Sequence, residues 1–176
     1  MIRANGVKKA FGEKVVLHGI DAEFQSGQVN FIIGRSGSGK SVLTKCMVGL
    51  LEVDSGRVQY GDSVFSELNR RDREAVRREI GMLFQGGALF DSMTVLENVE
   101  FPLRMFSDMT EEERLERAME CLKRVELEGA EDRFPAEVSG GMQKRVALAR
   151  AIVGKPQYLF CDEPNSGLDP KTAIVI

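Results

Sequence analysis

Apolar runs and alternating apolar positions predict the strands of this chain. A period of two is typical of a strand with one buried face, and a short continuous apolar run is typical of a buried strand. The segments with these patterns span residues 15–24, 29–33, 57–60, 80–84 and 158–161. A glycine-rich segment follows the second of them, and two acids follow the last. We therefore expect both strands to lead into functional loops.

Helical spacing of apolar residues predicts three amphipathic helices, and a mostly charged segment predicts a solvated fourth. They span residues 41–51, 110–128, 140–153 and, for the charged segment, 68–79. Thr110 and Glu113 match a capping box, and the apolar stripe of that helix indicates a packing face. Strands and helices alternate around residues 29–51, whereas about 88–155 is mostly helical. The pattern predicts one α/β domain over residues 1–176, with an inserted helical lobe.

The composition of the chain excludes several classes of protein. The 176 residues are 43% hydrophobic and 29% charged, which supports a globular core. A net charge of −3 gives no general electrostatic case for nucleic-acid binding. The three cysteines are widely spaced, so a zinc site or a disulfide framework is not expected. Since no stretch has the roughly 18 apolar residues of a membrane span, we expect a cytosolic protein without membrane insertion.

A glycine-rich segment has the spacing of a phosphate-binding loop. Its residues, Gly34, Arg35, Ser36, Gly37, Ser38, Gly39, Lys40 and Ser41, match G-x-x-x-x-G-K-[ST]. Backbone N–H groups of such a loop converge on phosphate oxygens, and the following helix adds its positive dipole end. Lys40 would reach the β- and γ-phosphates, and Ser41 would bind Mg²⁺. A chance lysine in a glycine–serine turn is the alternative, but it leaves the flanking strand and helix unexplained.

Asp162 and Glu163 follow the last predicted strand, at the position where α/β proteins bind ligands. Asp162 is a candidate Mg²⁺ ligand, and Glu163 is a candidate to orient or deprotonate an attacking water. Two solvated acids at a strand end are the alternative. The phosphate loop on the same chain favours the functional interpretation.

Ser139, Gly140 and Gly141 begin a predicted helix and form a second candidate anion site. The glycines permit close backbone approach, and the helix start exposes N–H donors. Two anion sites of different shape suggest that each binds the same nucleotide from opposite sides, in a dimer. The alternative is that Ser139 caps the helix and no ligand binds.

Taken in chain order, these motifs resemble the nucleotide-binding subunit of an ATP-binding cassette (ABC) transporter. GRSGSGKS resembles its Walker A motif, VSGGMQ its signature, YLFCDE its Walker B motif and residues 166–169 its D-loop. Gln85 lies where the family has its Q-loop glutamine, and Phe11 lies where an aromatic residue stacks on adenine. The resemblance implies a P-loop NTPase core with a parallel sheet, N-terminal antiparallel strands and a helical subdomain at about 88–155.

The resemblance also implies a role for each residue. Two copies would enclose two ATP molecules, and their hydrolysis would drive a transmembrane permease at the cytoplasmic face of the inner membrane. The implied catalytic residues are Lys40, Gln85 and Glu163, and the implied Mg²⁺ ligands are Ser41, Gln85 and Asp162. The implied ATP-binding residues are Phe11, the loop Gly34–Ser41, Ser139, Gly140, Gly141 and Asp169.

A narrower resemblance covers residues 82–104, which read MLFQGGALFDSMTVLENVEFPLR. This segment is similar to the ATPases of phospholipid-trafficking systems built around mammalian-cell-entry (MCE) domain proteins. The resemblance implies phospholipid transport and contact between this region and the permease. The apolar residues here are Leu89, Phe90, Met93, Phe101, Leu103, Met105 and Phe106. We expect most to pack inside the helical lobe and a minority to form the docking surface.

Three features depart from the family pattern. Met142 replaces the usual signature glutamine, and the only histidine, His18, lies upstream of the phosphate loop and cannot be the family's switch histidine. Residues 171–176 resemble the opening turns of a helix, so we expect the end of the core to be missing and turnover to be weak. The alternatives are another ABC import or export ATPase, a soluble ABC protein acting on ribosomes or DNA, and a non-hydrolysing subunit.

Overall fold

The computed structural model describes residues 1–164, and the chain divides into two compact units after Arg77. Strands and helices of the first unit are β1 (Ile2–Phe11), β2 (Lys14–Phe24), α1 (Lys40–Met47), β3 (Ser55–Tyr60) and α2 (Arg70–Arg78), whose last residue crosses the division. Those of the second unit are β4 (Ile80–Leu83), α3 (Val95–Phe106), α4 (Glu111–Arg124), α5 (Gly140–Ile152) and β5 (Tyr158–Cys161).

The first unit is built on an antiparallel sheet in the order β2–β1–β3, which confirms the predicted N-terminal antiparallel strands. Ile2 and Ala4 are buried at alternate positions of β1, and Val7 is buried after a register shift that follows Ala4. Gly56 pairs closely with β1, because a Cβ there would lie 2.3 Å from the Gly6 carbonyl oxygen. The charged helix α2 buries none of its residues, as its composition predicts.

The predicted strand at residues 29–33 is wrong. The segment forms no strand, and Val29, Phe31 and Ile33 are 79%, 81% and 92% exposed. Asn30 provides a local reason, since its side chain accepts from the Gln25 backbone N–H at 3.0 Å and donates to the Gln25 carbonyl at 2.9 Å. Such contacts compete with strand pairing. Among residues 1–164, no strand gives this segment a ladder partner.

In the second unit, β4 and β5 pair in parallel, from Ile80 opposite Tyr158 to Leu83 opposite Cys161. This is the predicted parallel sheet, with two strands in the part of the chain that the structure describes. Helix α5 lies close to β4, because a Cβ on Gly81 would be 2.3 Å from the Ala151 carbonyl oxygen. The connection between the strands contains α3, α4 and α5, as predicted for the helical lobe.

The helical lobe has its own hydrophobic core. The fully buried members on the three helices include Val95, Val99, Ala118, Cys121, Leu122, Val146 and Ala149. Helix α4 begins with the predicted capping box of Thr110 and Glu113, and α3 begins with a second box formed by Thr94 and Glu97. Each box satisfies backbone N–H groups that the first turn of a helix leaves unpaired.

Asn98 is fully buried in α3 and fixes the segment that precedes this helix. Its Nδ2 donates to the carbonyl oxygens of Phe90, Met93 and Thr94 at 3.0 to 3.1 Å, and its Oδ1 accepts from the Phe90 N–H at 2.9 Å. A buried polar group that loses its partner costs about 1–3 kcal/mol. Asn98 is therefore a candidate for a large contribution to stability.

We expect Asn98→Ala to lower the free energy of unfolding by roughly 3 kcal/mol, because it leaves several backbone groups near Phe90 unpaired. Urea denaturation followed by circular dichroism measures the change. Asn5→Ala is the matched control, since Asn5 is exposed and its side chain donates only to the Gln59 side chain among the described residues. Equal losses in the two variants would contradict the structural role of Asn98.

Candidate nucleotide site

The phosphate loop folds around the Lys40 side chain. Its ammonium Nζ donates to the carbonyl oxygens of Gly34 at 3.0 Å and Arg35 at 3.1 Å, and the Ser38 N–H donates to Arg35 at 3.2 Å. Gly39, with φ of 94°, is the N-cap residue directly before α1, and a Cβ there would lie 3.0 Å from Leu17. Glycine at this position therefore meets both a backbone and a packing requirement.

The start of α1 is suited to an anion. No side chain caps it, and its first turn contains no acidic residue. The N–H groups of such a helix start carry partial positive charge, and the Lys40 ammonium adds a full charge beside them. The carbonyls that hold Lys40 are replaceable by phosphate oxygens, which bind an ammonium more strongly because they are charged.

Gln85 and Glu163 meet at one edge of the β4–β5 pair. Because parallel strands end at the same edge, the residues after Leu83 and Cys161 come together. The Gln85 Nε2 donates to Glu163 Oε2 at 2.7 Å. Glu163 has φ of 51°, an uncommon conformation for a residue other than glycine and one that clusters at functional sites.

Asp162 lies one residue earlier, and it is 8% exposed. Its backbone N–H donates to the Leu83 carbonyl at 2.9 Å, which extends the β4–β5 pairing and holds Asp162 at the strand end. A carboxylate and a glutamine amide oxygen are the kind of ligands that Mg²⁺ prefers. Asp162 and Gln85 therefore fit the expected metal by their chemistry.

Ser139 caps α5, which was also the expectation for this segment if no ligand binds there. Its Oγ accepts from the Met142 N–H at 3.2 Å. Gly140 beside it is exposed, and a Cβ at Gly140 would meet nothing within 4 Å. Packing within the described chain therefore does not require glycine there, and the helix start remains open to a molecule from outside.

A family model described as ABC transporter matches residues 17–166, which include the phosphate loop, Gln85, the signature segment and the YLFCDE segment. The chain belongs to the ABC transporter family. Across the residues that the structure describes, no helix combines the length and apolarity needed to cross a bilayer.

Three relatives of this chain carry different names. A probable ribonucleotide transport ATP-binding protein mkl of Mycobacterium leprae is 41% identical over 96% of this chain and 49% of its own length. Methionine import ATP-binding protein MetN of Clostridium tetani is 40% identical over 98% and 54%. Protein TRIGALACTOSYLDIACYLGLYCEROL 3, chloroplastic, of Arabidopsis thaliana is 42% identical over 100% and 53%. The chain thus spans about half the length of these relatives.

A solved dimer is similar to the whole chain. It is the ATP-binding cassette MJ0796 in a post-hydrolysis state bound to ADP and Pi, with a TM-score of 0.91 and 36% identity over 100% of this chain and 79% of that one. The match confirms the ABC cassette fold that the sequence predicts.

The remaining residues discussed for the ABC resemblance differ in where they lie and in how exposed they are. Phe11 ends β1 and is 48% exposed, whereas Asp169 and the rest of the D-loop lie outside the described residues. Met142, which stands where the family signature usually has glutamine, packs against the core of the helical lobe. His18 is exposed on β2 opposite Lys8.

The seven apolar residues considered for packing or docking differ in their exposure. Leu103 is buried, and Leu89, Met93 and Phe101 are half-buried. The exposed minority consists of Phe90, Met105 and Phe106, at 41%, 55% and 59%. These three residues are the candidate docking surface.

Asn98 and Arg150, which hold the segment after Gln85, are not among the residues that the sequence motifs indicate. Arg150 donates to the Gly87 carbonyl at 2.7 Å, and its guanidinium lies 5.8 Å from the centre of the Phe90 ring. Burial lowers the pKa of Arg150 from its usual value. One signal was available for Asn98, since a lone asparagine among the apolar residues of a helix suggests a buried polar role.

Proposed function

We propose that this chain binds and hydrolyses ATP and drives a separate membrane permease. The observation that carries the proposal is the Gln85–Glu163 hydrogen bond at the carboxyl edge of the β4–β5 pair, in a chain whose phosphate loop encloses Lys40. An ATPase needs a positioned carboxylate to orient water and a cationic loop to hold the phosphates. Both arrangements are present, each in its own unit.

Each residue has a distinct part in the reaction. Lys40 and the N–H groups at the start of α1 bind the phosphates and stabilise the charge that develops on them. Glu163 accepts a hydrogen bond from the attacking water, and the Gln85 amide holds the Glu163 carboxylate in place. Mg²⁺ would be held by Ser41, Gln85 and Asp162, and it supplies further neutralisation of phosphate charge when bound.

We also propose that the signature segment acts on a nucleotide held by a second copy of the chain. Support comes from the exposed, open start of α5 at Gly140 and from the dimeric state of the similar cassette. A twofold dimer then contains two equivalent sites, each completed by the partner. ATP would therefore control the closure of the dimer, and hydrolysis would reopen it.

A mixed dimer tests the shared site. Lys40→Ala and Gly140→Asp should each abolish hydrolysis in a homodimer, the second because its carboxylate repels phosphate. Gly140→Asp should fold normally, since a side chain there meets open space and an acid suits a helix start. Gly140→Ala is its control, because the methyl group adds no charge.

In the mixed dimer, one site carries both changes and the other carries neither. Two affinity tags allow its purification, and we expect up to about half of the wild-type ATPase rate, because one of two equivalent sites is intact. An inactive mixed dimer would refute the shared site, provided that both variants are folded.

For the partner and the cargo, we propose a permease that contacts Phe90, Met105 and Phe106, with phospholipid as the transported molecule and the cytoplasmic face of the inner membrane as the location. The exposure of these three apolar side chains supports the docking surface, with Phe90 in the segment after Gln85 and the other two at the end of α3. The resemblance of residues 82–104 supports the phospholipid, and the galactosylated diacylglycerol in the name of the Arabidopsis relative supports a lipid cargo more generally.

Another transport ATPase is the second candidate, because other relatives are named for ribonucleotide transport and for methionine import. Purification of the protein with its membrane partner, followed by lipid analysis of the complex, would distinguish the two. Stimulation of ATP hydrolysis by phospholipid, but not by methionine or a ribonucleotide other than ATP, would favour phospholipid.

A further inference from the structure

One carboxylate holds the strand end that carries Phe11. Asp54 lies just before β3, and its Oδ1 accepts from Lys9 Nζ at 2.6 Å. Its Oδ2 accepts from the Ala10 N–H at 2.7 Å, and its own N–H donates to the Lys8 carbonyl at 3.0 Å. Asp54 thus contacts each of the three residues that precede Phe11.

These contacts occur where the pairing of β1 with β3 ends. The two strands pair from Ile2 to Asn5, the register then shifts, and the last pair is Lys8 opposite Ser55. On its other side, β1 pairs with β2, and that register shifts between Lys9 and Ala10. The Asp54 carboxylate therefore accepts the Ala10 N–H at a point where β3 provides no further ladder partner.

The same carboxylate orients a cation against the aromatic ring. The Lys9 side chain is only 14% exposed, and its Nζ lies 5.7 Å from the centre of the Phe11 ring. At this distance the lysine ammonium is attracted to the face of the aromatic ring. Since Phe11 is still 48% exposed, the ring keeps surface on which a planar base can stack.

Asp54 remains charged at neutral pH. The hydrogen bond from Lys9, and next the one from the Ala10 backbone, hold the pKa of its carboxyl below the usual value. Because the pKa of the Asp54 carboxyl is lower in the folded protein than in the unfolded chain, these contacts stabilise the fold. The stabilisation is complete at pH values above the pKa that this carboxyl has in the unfolded chain. It is lost only as the pH falls through the lowered value.

We propose that Asp54 is a positioning residue for nucleotide binding, which fixes Lys9 and Ala10 so that the Phe11 ring stacks on adenine. The inference rests on the proposed function, because it assumes that Phe11 contacts the base. Asp54 itself acts through the strand end and touches no part of the nucleotide in this proposal. Its loss should therefore weaken binding of the base and spare binding of the phosphates.

Isothermal titration with two ligands, ATP and inorganic tripolyphosphate, both with Mg²⁺, separates these effects in the intact protein. We expect Asp54→Ala to weaken ATP about five- to tenfold, part of the stacking energy of a base, and to leave tripolyphosphate within about twofold. Asp54→Asn keeps an oxygen acceptor for Ala10 but loses the charge, so its ATP affinity should be intermediate. Asp62→Ala is the matched control, since Asp62 is also exposed and lies just beyond β3.

A double variant decides between positioning and general disruption. Phe11→Ala should weaken ATP at least as much as Asp54→Ala, and the two changes together should cost no more than Phe11→Ala alone. Additive losses, or equal weakening of ATP and tripolyphosphate by Asp54→Ala, would overturn the proposal. Normal ATP affinity in Asp54→Ala beside weak affinity in Phe11→Ala would overturn it and leave the proposed function intact. Normal ATP affinity in Phe11→Ala would show that Phe11 does not stack on adenine, and the proposal would fail with that assumption.

Discussion

Glu163→Gln should lower the rate of ATP hydrolysis by at least about 100-fold and leave ATP affinity within about twofold, because general-base catalysis contributes 10²–10⁴-fold. The change replaces one carboxylate oxygen with an NH₂ group, and the resulting amide has nearly the shape of the carboxylate. In the wild-type protein Gln85 Nε2 donates to Glu163 Oε2 at 2.7 Å. A glutamine at position 163 still offers an oxygen that can accept this hydrogen bond. The site therefore keeps its geometry but loses the charge that attracts a proton from water.

Binding without turnover should also trap the closed dimer, since hydrolysis is the step that reopens it. Steady-state phosphate release, ATP titration and size-exclusion chromatography with ATP measure the three consequences. Glu116→Gln is the matched control, because Glu116 is an exposed residue of α4 and undergoes the same chemical change. Normal hydrolysis by Glu163→Gln would show that another group orients the water.

Gln85 provides a check on the same site. Gln85→Ala removes the donor that orients Glu163 but leaves the carboxylate, so its effect on the hydrolysis rate should be the smaller one. A larger loss in Gln85→Ala than in Glu163→Gln would show that Gln85 acts mainly by another route, such as metal binding.

Four of the five α-helices in residues 1–164 were predicted, α3 being the exception, because their signals are local. Thr110 and Glu113 lie three residues apart, and their capping box forms as the sequence indicates. The apolar spacing of 140–153 likewise predicted α5, which ends one residue earlier, at Ile152. In both cases a single turn or stripe of neighbouring residues contains the information.

Contacts between distant segments were not predictable in this way. Asp54 contacts Lys9 and Ala10 on the neighbouring strand, and Arg150 of α5 donates to Gly87 in the segment between β4 and α3. No spacing rule relates such positions, because the register of the strands and the packing of the helices decide them. The resemblance to ABC cassettes named Gln85 and Glu163, and the parallel pairing of β4 with β5 explains why they meet.

The phosphate loop shows how a motif and its flanking strand can differ in predictability. GRSGSGKS forms a loop around Lys40, as its glycines and lysine predict. The apolar run before it does not form the expected strand, because strand formation needs a partner that an apolar pattern does not specify. Asn30, with its contacts to Gln25, was the local signal against it.

Lys40→Ala should weaken ATP binding by at least about 100-fold, because the variant lacks the ammonium that makes charge-assisted hydrogen bonds to the phosphates. In this structure Lys40 Nζ donates to Gly34 and Arg35, so the variant loses the group that holds the loop as well as the phosphate ligand. Binding of a fluorescent ATP analogue measures the loss.

Two controls make this result specific to the position of the charge. Lys45→Ala removes one positive charge from the last turn of the same helix, and it should leave ATP affinity within about twofold if the effect is local. Lys40→Arg keeps the charge but replaces a compact ammonium with a planar guanidinium, so it should bind ATP more weakly than wild type. Equal losses in Lys40→Ala and Lys45→Ala would mean that net charge, rather than the phosphate loop, determines ATP affinity.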